Sequence, residues 1–126
     1  MEKKKILIID DERDLVAMVI LRLRANGFFV LEASTANEGL KMAEEERPDL
    51  ILLDVLLPDG DGYQVCQKLK SHPITKDIAI IIFTASSLKG LAKKAIEAGA
   101  IDYVIKPFEP KDLLEKINKA LTHERT

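Results

Sequence analysis

The sequence has a single cysteine, Cys66, which excludes an internal disulfide and fits a reducing, cytoplasmic setting. It has no apolar stretch long enough to span a bilayer. The lysine-rich start, Met1-Glu2-Lys3-Lys4-Lys5, leads into an apolar run, but that run meets Asp10-Asp11-Glu12 at once, so it is no secretory signal. Neither sign of charge dominates: 19 Lys and Arg stand against 21 Asp and Glu, a net charge of -2. Without a general basic field, direct nucleic-acid binding is disfavoured. Internal repeats, low-complexity segments and interdomain linkers are all absent. What remains, at 126 residues, 47% hydrophobic and 32% charged, reads as one globular domain over residues 1–126.

What is present is an alternation. The apolar runs Ile6–Ile9, Leu50–Leu53, Ala79–Phe83 and Tyr103–Ile105 read as buried strands, and Phe28–Ala33 as a further short one. Between them lie helical patterns. Asp14–Asn26 places Val16, Val19, Ile20 and Leu23 on one face, with Gly27 to end it. Ser34, Thr35 or Asn37 caps the next helix, through Leu40 and Ala43, and Pro48 stops it. Tyr63–Lys70 turns Val65, Cys66 and Leu69 inward, a stretch near Lys89–Ala98 ends at Gly99, and Pro110 opens Lys111–Leu121. Strands apolar on both faces belong in a parallel sheet covered on both sides. Five β-α pairs therefore predict an α/β, flavodoxin-like doubly wound (βα)5 fold with a five-stranded parallel sheet in the order 2-1-3-4-5.

The polar residues that end these runs share one address, the carboxyl edge of the sheet, where ligands of such folds bind. They are Asp10-Asp11, Asp54, Thr84 and Lys106-Pro107. The strand order brings the first and third strands together at the switch point, and with them Asp10, Asp11 and Asp54. Clustered carboxylates repel one another and call for a counter-charge. Mg²⁺, with its oxygen ligands and retained waters, suits them. Lys106 adds a cation for a phosphate oxygen and Thr84 a hydroxyl donor. Asp54 stands alone at its strand end, and a carboxylate can become an aspartyl-phosphate. Other polar residues have plainer readings. Glu12 and Asp14 read as helix capping or loop solvation, Asp59 and Asp61 as turn chemistry with Gly60 and Gly62, and Lys89, Lys93 and Lys94 as a solvated face. Cys66 reads as core. His72 and His123 fall outside the constellation.

Ile8-Ile9-Asp10-Asp11-Glu12, Pro48 through Asp54 with Leu57-Pro58 and Asp61-Gly62, Thr84-Ala85, Glu97-Ala98-Gly99-Ala100 with Asp102-Tyr103, and Lys106-Pro107-Phe108 follow one another in order. With these pieces the chain resembles the receiver domain of two-component response regulators along essentially its whole length. The resemblance implies a phosphoacceptor that promotes its own phosphoryl transfer and loss, rather than an enzyme with a separate substrate. Asp54 would take the phosphoryl group from a sensor histidine kinase or a histidine phosphotransfer protein. Asp11, Asp54 and the Leu56 carbonyl would ligate Mg²⁺, and Asp10 would act through a metal-bound water. Lys106 would pair with Asp54 and then with the phosphoryl group, which the Ala85 amide would contact. Thr84 and Tyr103 would switch inward, the Lys106-Pro107 peptide would be cis, and a downstream protein would read the face of the fourth helix, fifth strand and fifth helix. Leu56 and Ser86 hold positions that tune phosphoryl lifetime in receivers. Leu15 and Met18, at the edge of the first helix, would form part of a kinase-docking patch. A haloacid-dehalogenase-type phosphatase would want an acid where Leu56 stands, and a flavodoxin a phosphate-cradling loop where Asp11-Glu12-Arg13-Asp14 stands. Two alternatives stay open: the receiver of a larger regulator with a DNA-binding or catalytic output domain, and a receiver-like binding module that works without phosphorylation.

Overall fold

The computed structural model describes residues 3–85 and 90–123, so Ser86 and Lys89 lie outside the described residues. Its central strands are β1 (Lys5–Ile9), β2 (Phe29–Ala33), β3 (Leu50–Leu53), β4 (Ala79–Ala85) and β5 (Asp102–Lys106). Its helices are α1 (Arg13–Ala25), α2 (Ala36–Glu46), α3 (Gly62–Ser71), α4 (Leu91–Ala98) and α5 (Pro110–His123). The strands form one sheet in the order β2-β1-β3-β4-β5, every neighbouring pair parallel, as the alternating pattern predicts.

Alternate residues of each strand enter different cores. On one face Leu7, Ile9, Ile51, Leu53, Ile80 and Ile82 pack with Ala43 of α2, Val65, Cys66 and Leu69 of α3 and Ala95 of α4. On the other, Ile6, Ile8, Leu50, Leu52, Ile81 and Phe83 meet Val16, Val19 and Leu23 of α1 and Leu113 and Ile117 of α5. A strand buried on both faces has no use for polar alternation, which is why these runs read as continuously apolar. Ile20, expected on the inward face of α1, lies half-buried at the margin of the second core. Burial also accounts for Cys66: loss of water pushes its thiol up to about 11, so it stays a neutral, packed side chain.

Several details differ from the linear reading. β4 extends through Thr84 to Ala85 rather than stopping at Phe83, and β5 ends at Lys106 as expected, because the ladder pairs Thr84 with Ile105 and Ala85 with Lys106. Residues expected to form a plain loop after Asp54 make a small antiparallel hairpin, Leu56–Leu57 against Gly60–Asp61. Of the three candidate caps for α2, Thr35 is the one used, accepting a hydrogen bond from the Glu38 amide at 3.1 Å.

Asp59 departs most from expectation. It does not merely shape its own turn: its carboxylate accepts from the amides of Ala36 at 2.6 Å and Asn37 at 3.0 Å, capping α2 from a loop 23 positions away. Asp61 caps α3 through the Tyr63 amide at 2.8 Å. The hairpin loop is thus tied to two helix N-termini, whose free amides and dipole favour a negative partner. The amide bonds from Ala36 and Asn37 hold Asp59 below its ordinary value. A carboxylate lowered on folding stabilises the fold above its unfolded value, and that contribution is lost as pH falls through the folded one. Asp59→Asn should therefore lower the melting temperature at neutral pH. The gap from wild type should narrow below about pH 4, the ordinary aspartate range. Thermal unfolding of both proteins across that range checks it; a gap independent of pH would contradict the capping role.

Candidate functional site

The sheet ladder continues one residue past β1 and β3. The Asp10 amide donates to the Ala33 carbonyl at 3.0 Å and the Asp54 amide to the Ile9 carbonyl at 2.9 Å. Both aspartates therefore leave the sheet on a fixed backbone, side by side. Behind Asp54, Gly62 comes so close that a Cβ there would run into the Asp54 carbonyl and the Val55 backbone. Only glycine permits that approach. The Gly62 amide donates to the Val55 carbonyl at 2.9 Å and closes the turn.

β5, at the edge of the sheet, carries Lys106 into the cluster from its far side. The Lys106 Nζ lies 2.6 Å from Asp10 Oδ2, 2.8 Å from Glu12 Oε1 and 3.4 Å from Asp54 Oδ2. It also sits 4.8 Å from the centroid of the Phe83 ring, which in turn meets Phe108 with centroids 5.2 Å apart. Asp10, Asp54 and Lys106 are 3%, 4% and 7% exposed, so these charges face one another with little water between them. Loss of water pushes the Asp10 carboxyl above its ordinary value, against the pull of Lys106 and of the Glu12 amide. Burial opposes the Lys106 ammonium as well, but hydrogen bonds to Asp10 and Glu12 outweigh it and raise the lysine. Lys106 is therefore the fixed positive charge of the site.

Within this group the bonds are unequal. Asp10 is held at both oxygens, one by Lys106 and one by the Glu12 amide at 2.9 Å. Asp54 accepts from the Leu56 amide at 3.1 Å and otherwise has only the long contact to Lys106. Asp54 is thus the less tightly held of the two buried carboxylates. The Thr84 hydroxyl is fully buried and has no hydrogen-bond partner among the described residues, an arrangement that costs roughly 1–3 kcal/mol until one arrives. Tyr103 is half-buried against the core; Lys116 bonds its carbonyl at 2.6 Å and lies 5.1 Å from its ring centroid. The Lys106-Pro107 peptide is cis, as expected.

The structure brings Asp10, Asp54, Thr84, Ala85 and Lys106 to one edge. Asp11 lies exposed beside them, bordering a cleft of about 700 Å³ with Arg13, Leu21 and Ser34, and another of about 530 Å³ with Leu56, Tyr63 and Lys94. The acidic cluster itself is Asp10, Glu12 and Asp54, whose oxygens lie within 4.8 Å of one another. Glu12 was expected as a cap or a solvated loop residue. It does occupy the N-cap position of α1, but its side chain caps nothing and reaches Lys106 instead. One signal was available in the sequence: glutamate is a poor N-cap, so its carboxylate needed another partner. Leu15 is half-buried and Met18 is 45% exposed on α1, away from the acidic cluster. His72 ends α3, its Nδ1 accepting from the Ile74 amide at 3.1 Å.

A set of hard carboxylate oxygens converging beside a lysine suits a small divalent cation with oxygen preference. Comparison with known proteins points the same way. The profile of the response regulator receiver domain matches residues 6–118. The chain is 39% identical over 118 residues to the alkaline phosphatase synthesis transcriptional regulatory protein PhoP of Bacillus subtilis, covering 94% of this chain and 48% of that protein. It thus spans about half the length of that curated relative. Among solved structures it is similar to a CheY-like response regulator receiver domain protein from Methanospirillum hungatei, with a TM-score of 0.90, 34% identity and 98% of each chain covered. It is also similar to the receiver domain of the sensor histidine kinase PA1611 from Pseudomonas aeruginosa, at a TM-score of 0.87, 27% identity and coverage of 96% and 99%. That structure has a magnesium ion coordinated in its active-site cleft.

Lys106→Met keeps the stem and removes the charge. Leaving the carboxylates without their cation should cost about 3 kcal/mol in metal-free buffer. Mg²⁺ should then raise the melting temperature of the variant more than that of wild type. Calorimetry with and without Mg²⁺ checks both effects, and equal shifts in the two proteins would contradict the charge balance described.

Proposed function

The chain belongs to the response regulator receiver domain family, and on that premise we propose that Asp54 is its phosphoacceptor, supplied by a sensor histidine kinase or a histidine phosphotransfer protein. The observation that carries this reading is the contrast between Asp10, held at both oxygens, and Asp54, whose only short bond is to the Leu56 amide. An Asp54 oxygen forms the new bond to phosphorus as the donor's phosphorus–nitrogen bond breaks, and the electron pair stays on the donor imidazole. Asp11, Asp54 and the Leu56 carbonyl would hold Mg²⁺, with Asp10 acting through water, and the bound ion would supply positive charge to the transferring oxygens. Lys106 balances the charge that arrives on Asp54. The Ala85 amide would contact the phosphoryl group, a reading supported by the register that pairs Ala85 with Lys106.

The reaction becomes a signal through the partnerless Thr84 hydroxyl. A phosphoryl oxygen on Asp54 gives that donor its acceptor and favours the arrangement with Thr84 drawn toward it, Tyr103 following. The α4-β5-α5 face then changes for a downstream protein. Support for that face comes from the apolar side chains left in water there, Ile96 at 69%, Ile101 at 45% and Ile105 at 41% exposed. In this role the chain is a phosphoacceptor that promotes its own charging and discharging, working in the cytoplasm. No helix among the described residues is long and apolar enough to cross a membrane. A second reading, the receiver of a larger regulator with a DNA-binding or catalytic output domain, is favoured by the length of the Bacillus relative and by its name as a transcriptional regulatory protein.

Incubation with acetyl phosphate and Mg²⁺ should add one phosphoryl group to the wild type and none to Asp54→Ala, read by intact mass. An unmodified wild type, or an adduct that survives in the variant, overturns the assignment. Leu15 and Met18 on α1 are proposed as part of the kinase contact. Changing both to Ser should slow transfer from the cognate kinase severalfold and leave labelling by acetyl phosphate unchanged; equal losses in the two assays would mean a damaged fold instead.

A further inference from the structure

Lys106 has three ammonium protons, and in the resting structure each has a carboxylate within 3.4 Å. A phosphoryl group on Asp54 needs at least one of them. The proton facing Asp54 is the one that group inherits, but at 3.4 Å Lys106 can close on it only if a nearer partner, Asp10 at 2.6 Å or Glu12 at 2.8 Å, yields, and the partners are not equally able to do so. Asp10 and Asp54 are buried on backbones fixed by the sheet ladder. Glu12 differs. Its backbone is anchored, its amide to Asp10 Oδ1 at 2.9 Å and its carbonyl accepting from the Val16 amide at 2.9 Å. Its side chain, however, is 54% exposed and, among the described residues, makes only the contact to Lys106. It can swing into water without breaking the helix start, and water will solvate the freed carboxylate.

We infer that Glu12 is a positioning residue that holds Lys106 back from Asp54 in the resting state and releases it when the phosphoryl group arrives. The inference rests on Asp54 as the acceptor. Glu12 itself touches neither phosphorus nor the acceptor oxygen; it acts by competing for the lysine. Because the pair is half-exposed, its hold is modest, and removing it should change rates by about two- to fivefold rather than by orders of magnitude.

The test uses the full chain and the substitution Glu12→Gln, which keeps size and removes charge. At saturating Mg²⁺ and acetyl phosphate, the maximal phosphorylation rate should rise by about two- to fivefold while the donor concentration for half-maximal rate stays the same. In a Lys106→Met background the same substitution should have no effect, because the residue acts only through the lysine. Glu12→Asp, one methylene too short to reach, should behave like Glu12→Gln. A second measurement does not need phosphorylation: with ¹⁵N-labelled lysine, the Lys106 ammonium protons should exchange with water faster in metal-free Glu12→Gln than in wild type. A rate unchanged or slowed in Glu12→Gln, or a gain that persists without Lys106, overturns the inference. If the wild type takes no phosphoryl group at Asp54, the acceptor assignment fails, and an unchanged Lys106 exchange rate would then remove the hold by Glu12 as well.

Discussion

One ammonium ion set among three carboxylates, in a place with little water, is the interaction on which this structure depends. Asp10 and Asp54 are buried neighbours and would repel each other strongly if left alone. Lys106 makes their proximity tolerable. It is 96 positions from Asp10 and 52 from Asp54, so no local segment can assemble the trio. β1 and β3 have to pair, and β5 has to add at the far side of β4, before the charges balance. The site is therefore a product of the completed sheet, and the apolar cores on its two faces supply the stability that holds like charges together.

Around that centre, tight and loose contacts are distributed unevenly. Asp10 is saturated. Asp54 has a short bond only to the Leu56 amide, and Thr84 has a buried hydroxyl with nothing to donate to. A fully satisfied network would be more stable and would have no reason to respond to a new ligand. Here the loosely held Asp54, just past β3, and the Thr84 hydroxyl, on the neighbouring β4, would both gain from the same addition, while the other partnerless buried hydroxyl, Tyr63, sits on α3.

Much of this was legible in the chain. Continuous apolar runs in β1, β3 and β4 announced strands covered on both sides, and their polar ends announced a common edge. The helix ends followed from Gly27, Pro48, Gly99 and Pro110, residues whose backbone preferences act locally. What could not be read was long-range and side-chain specific. Asp59 looks like any turn aspartate; that it caps α2 depends on how a hairpin after β3 lies against a helix before it. Glu12 looks like one more acid in an acidic stretch, and only the arrival of Lys106 distinguishes it from Asp11. The hairpin at Leu56–Leu57 has strands too short to announce themselves by alternation. Sequence patterns report what neighbours in the chain prefer, whereas these details were decided by neighbours in space.

The contact between Gly62 and the Asp54 carbonyl gives the molecule a direction. It sets the Asp54 backbone against the first turn of α3, and Asp59 fastens the same loop to α2. The opposite flank is anchored differently. α4 is the shortest of the described helices, with eight residues, and turns off at Gly99 through a left-handed backbone with φ of 99°. The two flanks of Asp54 are thus built differently: backbone contact and carboxylate caps tie one to α2 and α3, whereas α4 is held by the apolar side chains Leu91, Ala95 and Ala98 and ends on a glycine.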